Sequence, residues 1–182
     1  MKKMIFLFLA IGLSLILLAE TPILNEPIKE KLQEQNRYSG SALASIDDRV
    51  KYGSPLEAKI MVEEGIERMK EVDIKEAFLD FRNKGGKFQN KDLYLFVFDM
   101  DGNVLSHGAE KELIGKNLID LKDSAGKYFV KDFLKLMRNS ENGWVEYYWR
   151  NYENQKVEMK LTYLKKFNEN IFIGCGAYQP RY

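Results

Sequence analysis

Asp99 and Asp101 are the residues whose type and spacing most directly suggest chemistry. They lie in "LYLFVFDMDGNVLSHG", residues 93–108, where an apolar strand runs into Asp-x-Asp-Gly. A metal-dependent phosphohydrolase can use such a pair, with the first aspartate as nucleophile and the second as acid/base. That chemistry needs a parallel sheet, in which later crossover helices bring a Thr or Ser, a Lys and more acids to the metal. Here a second strand, "GNVLSHG", begins at once. "MDGN" at 100–103 is hairpin chemistry, because Asp and Asn tolerate turn geometry and Gly102 supplies φ > 0. The two acids are expected to mark a bend. A calcium loop is also a poor fit: Asp99, Asp101 and Asn103 suit its positions 1, 3 and 5, but its sixth position needs Gly and holds Val104.

Other chemistry has little to draw on. The 182 residues contain one histidine, His107, and one cysteine, Cys175. A site built on several soft ligands is excluded, and so is an intramolecular disulfide. Cys175 sits in apolar "IFIGCGAY" and is expected to be buried and inert. Lys and Arg total 28 against 27 for Asp and Glu, a net charge of +1. A near-neutral chain gives no electrostatic case for nucleic acid.

The elements that must position any site follow from periodicity. "MKKMIFLFLAIGLSLILLAE" has the layout of a secretory signal peptide, residues 1–19, or of an uncleaved N-terminal anchor. Either places the rest of the chain in the periplasm or outside the cell. Residues 20–42 read as a linker with a short helical segment, and 43–182 as one domain. Leu43, Ile46 and Val50 share one helical face. "SPLE" at 54–57 is a capping box, continued by an apolar stripe at Val62, Ile66 and Met69. "DIKE" at 73–76 starts another helix, which Gly85-Gly86 ends. Strands are expected at 93–98, 102–108, 143–150, 156–167 and 171–178, with mostly helical structure over 109–138. Short links between the last three imply antiparallel hairpins. The order, helices, two strands, helix, three strands, predicts an α+β fold with a five-stranded antiparallel sheet.

Read together, "DLYLFVFDMDGNVLSHG", "LIGKNLIDLKDSAGKYFVKDF", "GWVEYYWRN", "KVEMKLTYLKKF" and "IFIGCGAY" resemble the single Cache family of the second type. The likeness covers roughly residues 43–179. Arg150 stands where members often have Pro, Met159 to Tyr163 depart from a Pro-Lys-Ser-x-Tyr pattern, and Gly108 replaces a proline after His107. The resemblance implies a PAS-like extracytoplasmic sensor, with a long N-terminal helix on one sheet face and a ligand enclosed by loops and short helices over the other. It implies recognition of a small molecule, commonly a carboxylate, without catalysis, cofactor or metal. Signalling would pass through a partner, a membrane receptor or kinase.

The hairpin 143–150/156–163 carries aromatics on both faces. Val145, Tyr147 and Trp149 alternate with Trp144, Glu146 and Tyr148. Two covered faces explain this, one against a helix and one around a ligand, since small-molecule pockets are largely apolar with a few placed polar groups. The candidate ligand contacts are His107, Lys127, Tyr128, Trp144, Tyr147, Trp149, Lys160, Tyr163 and Tyr178. A lysine neutralises a carboxylate and a tyrosine hydroxyl orients it. Each has a plainer role open to it: the aromatics as core, Lys127 in a solvated loop, His107 at the surface, Lys160 paired with Glu146 across the hairpin. Two rival functions also stand, a secreted interaction protein with a dry core and the phosphohydrolase using Asp99 and Asp101.

Overall fold

The computed structural model describes residues 52–179. The apolar N-terminal segment, the linker and the face of Leu43, Ile46 and Val50 lie outside the described residues. Helix α1, Pro55–Glu71, begins at the expected capping box. Glu57 donates its backbone N–H to the Ser54 hydroxyl at 3.2 Å, and the Ser54 N–H returns to the Glu57 carboxylate at 2.7 Å. Its buried face, Ala58, Met61, Val62, Ile66 and Met69, recurs at helical spacing. Helix α2, Ile74–Arg82, starts at Asp73, whose carboxylate accepts from the Lys75 amide. It stops at Asn83, ahead of the two glycines expected to end it. Arg68 ties the helices together, reaching Glu76 at 2.9 Å and Asp80 at 2.7 Å.

The strands are β1 Gln89–Asn90, β2 Leu93–Asp99, β3 Val104–His107, β4 Asn142–Arg150, β5 Val157–Asn168 and β6 Ile171–Gln179. All pairings are antiparallel. β1 and β3 pair with β2, whose pairing continues through β6 and β5 to β4. The five expected strands are present, joined by the two-residue β1. Helix α3, Phe129–Asn139, follows the loop after β3. The expectation of helix over 109–138 is corrected here: before α3 only Lys111–Leu113 forms a 3-10 turn. Gly115 and Gly126, with φ of 84° and 83°, and the Asx turn at Asp123 hold the segment as loop.

The sheet has two covered faces. One packs Leu93, Leu95, Val97, Ile173 and Cys175 against α1 and α2. The other packs Tyr94, Phe96, Phe98 and Phe172 against Phe129, Phe133 and Met137 of α3. The β2–β3 turn is held by Asp99. One carboxylate oxygen accepts from the amides of Asp101 (3.0 Å) and Asn103 (2.8 Å), and the other from the Asn103 side chain (2.7 Å). Gly102 sits at φ 87°, where an L side chain is strained. Three hydrogen bonds to one charged acceptor give the turn its stability. Asp99→Ala is expected to cost about 2 kcal/mol, read as a lowered urea midpoint. An unchanged midpoint would contradict this role.

Candidate functional site

Register explains how a lysine enters the interior. Lys160 on β5 pairs with Tyr147 on β4 and Tyr178 on β6, so all three point to the α3-covered face. Lys160 is 0% exposed. Gly176 makes its path possible, because a Cβ there would fall 2.5 Å from Lys160 Cε and 2.2 Å from Thr162 Oγ1. Lys160 Nζ lies 3.8 Å from the centroid of the Tyr94 ring and 4.5 Å from that of Tyr178. It donates to the Tyr178 hydroxyl at 3.4 Å. Tyr178 in turn donates to the Arg150 carbonyl at 2.9 Å, and Thr162 donates to the Tyr147 hydroxyl at 3.4 Å.

Burial governs the electrostatics. It pushes the Lys160 ammonium down to about 7, against the pull of Asp92 and Glu110. Burial also lowers His107 to about 3, with Lys160 adding repulsion. The neutral His107 accepts the Glu110 amide at Nδ1, 2.9 Å away, so its proton sits on Nε2 as a donor. Burial raises the phenols of Tyr94, Tyr147 and Tyr178 well above their usual range, keeping them neutral donors. Asp92 is also fully buried, and burial raises its carboxyl. It accepts from the Gly53 amide at 2.7 Å and from the Asn151 side chain at 3.3 Å.

The nine expected contacts separate by face. His107, Tyr147, Trp149, Lys160 and Tyr178 share the α3 side, by strand register with Tyr94 and Phe96. Trp144 and Tyr163 pair with each other on the helix-covered side, where Tyr163 donates to Glu63 of α1. Lys127 reaches the Glu146 carbonyl and Asp132 at the protein surface. Tyr128 is exposed and lies under Lys122 and Lys131. The pairing of Lys160 with Glu146 is corrected: Glu146 sits opposite Leu161 and points to the other face. Cys175 is buried, as expected, and burial raises its thiol to about 12. Tyr94 and Asp92 escaped the sequence reading. The hydroxyl of Tyr94 in the apolar run "LYLFVF", alternating in step with Phe96 and Phe98, was a usable signal; the setting of Asp92 was not.

Asp99 is occupied by its turn, and its strand neighbours are antiparallel. Among the described residues, no three His, Cys, Asp or Glu side chains are grouped so as to hold a metal ion.

An antiparallel sheet in this order, with helices on one face and a loop and helix over a polar patch on the other, is a PAS-like fold. The sequence profile of the Cache domain matches residues 26–182. The chain belongs to the Cache domain family. Its fold is similar to that of a methyl-accepting chemotaxis protein from Vibrio parahaemolyticus, at TM-score 0.59 and 22% identity over 80% of this chain and 96% of that one. It is also similar to a Cache chemosensory domain described for carboxylic acid recognition, at TM-score 0.54 and 16% identity, covering 83% of this chain and 98% of the other. Among curated proteins, the sensor histidine kinase MctS of Rhizobium johnstonii is 27% identical over 89 residues, which are 48% of this chain and 19% of the kinase.

The Lys160 shift fixes a pH dependence. Its ordinary value is 10.5 and its folded value about 7. Between these, the unfolded chain holds more protons, so stability rises with pH; below about pH 7 the penalty is present in full. Urea unfolding from pH 6 to 10 is expected to show this rise in the native sequence and a flatter profile in Lys160→Met. Parallel profiles would contradict it.

Proposed function

We propose that this domain is an extracytoplasmic sensor that recognises a small carboxylate on the α3-covered face of its sheet. The observation that carries the reading is the setting of Lys160. A buried ammonium has three N–H groups to satisfy, and this one makes a single long hydrogen bond and two ring contacts. A carboxylate would supply the missing acceptors and the opposite charge. The hydroxyl of Tyr94, 3.5 Å from that of Tyr178, and the Nε2–H of His107 would orient it. Phe96, Phe129 and Trp149 would exclude water around its apolar part. Lys127, Tyr128, Trp144 and Tyr163 fall outside this set.

The work is recognition, and the output passes through a partner protein, a membrane receptor or a kinase. The likeness to a segment of a sensor histidine kinase supports the kind of partner. The description of one structural neighbour as recognising carboxylic acid supports the ligand class.

A ligand that binds only the folded state raises its melting point, by about 2.7 kcal/mol of stability at a hundredfold excess over Kd. Acetate, propionate and pyruvate, with acetamide and propionamide as uncharged controls, should separate in differential scanning fluorimetry. At least one carboxylate is expected to raise Tm by about 5 °C or more, the amides less. Lys160→Met should abolish the difference. No shift with any carboxylate would favour the dry-core interaction protein.

A further inference from the structure

We propose that the surface groove crossing His107–Ala109 is the route by which a small anion reaches Lys160, and that the cations on its rim select for negative charge during passage. This rests on the reading of Lys160 as an anion site and adds how that site is reached.

Two adjoining depressions, of about 410 and 450 Å³, share Lys84, Gly108 and Ala109. One extends to Tyr152 and the other to His107. Both of these rings touch Tyr94. The His107 ring lies 4.9 Å from it and the Tyr152 ring 5.5 Å, centroid to centroid. Lys160 Nζ rests 3.8 Å from the same Tyr94 ring. Two aromatic rings in series, His107 or Tyr152 and then Tyr94, therefore stand between the groove and the ammonium.

The barrier is fastened at a few points, one of them the Glu110 amide on His107 Nδ1 at 2.9 Å. Gln89 donates to the Gly108 carbonyl at 2.5 Å and Tyr152 to the Lys91 carbonyl at 2.7 Å. Gln89 belongs to the two-residue β1, and Lys91 beside it is a non-glycine held at φ 57°. A residue held in the left-handed region adjoining a ligand path is a recurrent mark of a functional segment. Rotation of His107 or Tyr152, followed by that of Tyr94, would open the path to Lys160 through side-chain movement alone.

Cations outnumber carboxylates on the rim, although Lys91 is paired with Glu57 at 2.8 Å. Arg82, Lys84, Lys91 and Lys111 line the two depressions against Glu112 and Glu153. A concave, low-dielectric surface with an excess of one sign concentrates ions of the other and speeds their arrival. Lys84 and Lys111 are exposed, so reversing their charge leaves the core intact.

The test labels the lysine itself. Full-length protein is treated with cyanoborohydride and either glyoxylate, an anionic aldehyde, or formaldehyde, a neutral one, and alkylation of Lys160 is followed by mass spectrometry. Lys84→Glu/Lys111→Glu is compared with Lys70→Glu/Lys75→Glu, which changes net charge equally on exposed positions of α1 and α2. Glyoxylate labelling of Lys160 is expected to slow about tenfold in the groove variant, to slow far less in the control variant, and to weaken with salt. Formaldehyde labelling is expected to change less than about twofold, since a neutral reagent is not steered. Lys160 left unlabelled by both reagents while surface lysines react would overturn the route. Equal slowing in both variants would overturn the role of the rim. Charge-selective labelling without any carboxylate-induced thermal shift would leave the route standing and remove the binding reading.

Discussion

The architecture of the α3-covered face turns on one constraint, the placement of a positive charge inside a sheet. Removing an ammonium from water costs several kcal/mol even after relaxation. Each aromatic ring beside Lys160 returns about 0.5–2 kcal/mol, and the long bond to Tyr178 adds little. The surroundings are fitted to this imbalance. Gly176 clears the path of the side chain, Tyr94 and Tyr178 bring ring faces to Nζ, and His107 is held neutral by the same burial and the same cation. A face built only for stability would place an apolar residue at Lys160. In the proposed role, the residual cost is what would give an anion a differential advantage in binding there.

The two faces divide the work. Under α1 and α2 the sheet presents mostly aliphatic residues, with Tyr163 and with Cys175, which meets Met61 at 3.9 Å. That side is a conventional core, and it fixes the strand register on which the other side depends. A slip of one residue in β5 would move Lys160 to the helix side and Leu161 to its place. The faces meet at Asp92. The carboxylate whose field opposes the depression of Lys160 also receives the Gly53 amide ahead of α1 and the Asn151 side chain in the β4–β5 turn. Charge at the site and the anchoring of the first helix thus share one buried group.

Local signals in the sequence were enough for the elements. The Ser54–Glu57 box, the alternation in β4 and β5 and the turn at Met100–Asn103 each have a cause within a few residues. Residues 109–128 are loop and not the expected helix because their glycines and the Asx turn at Asp123 outweigh a scattering of apolar residues. At the site, residue type singled out Lys160, His107 and Tyr178, but strand parity was needed to sort them. Trp144 and Trp149 look alike in "GWVEYYWR", yet their odd spacing puts them on opposite faces. Lys127 and Tyr128 have the residue types of ligand contacts, but Lys127 binds a surface carbonyl and Tyr128 lies under two lysines. Asp92 was beyond reach, since its partners, Gly53 and Asn151, are distant in sequence.

Lys160, with a folded value of about 7, is an ammonium below neutral pH and mostly a neutral amine above it, and in the proposed role an arriving anion draws it to the ammonium form. Isothermal titration calorimetry with propionate at pH 8, repeated in buffers of different ionisation enthalpy, measures this directly. With a folded value of about 7, binding should take up close to one proton per site, and Lys160→Met should lose both the uptake and the affinity. Binding without proton uptake, retained in Lys160→Met, would show that Lys160 does not hold the anion.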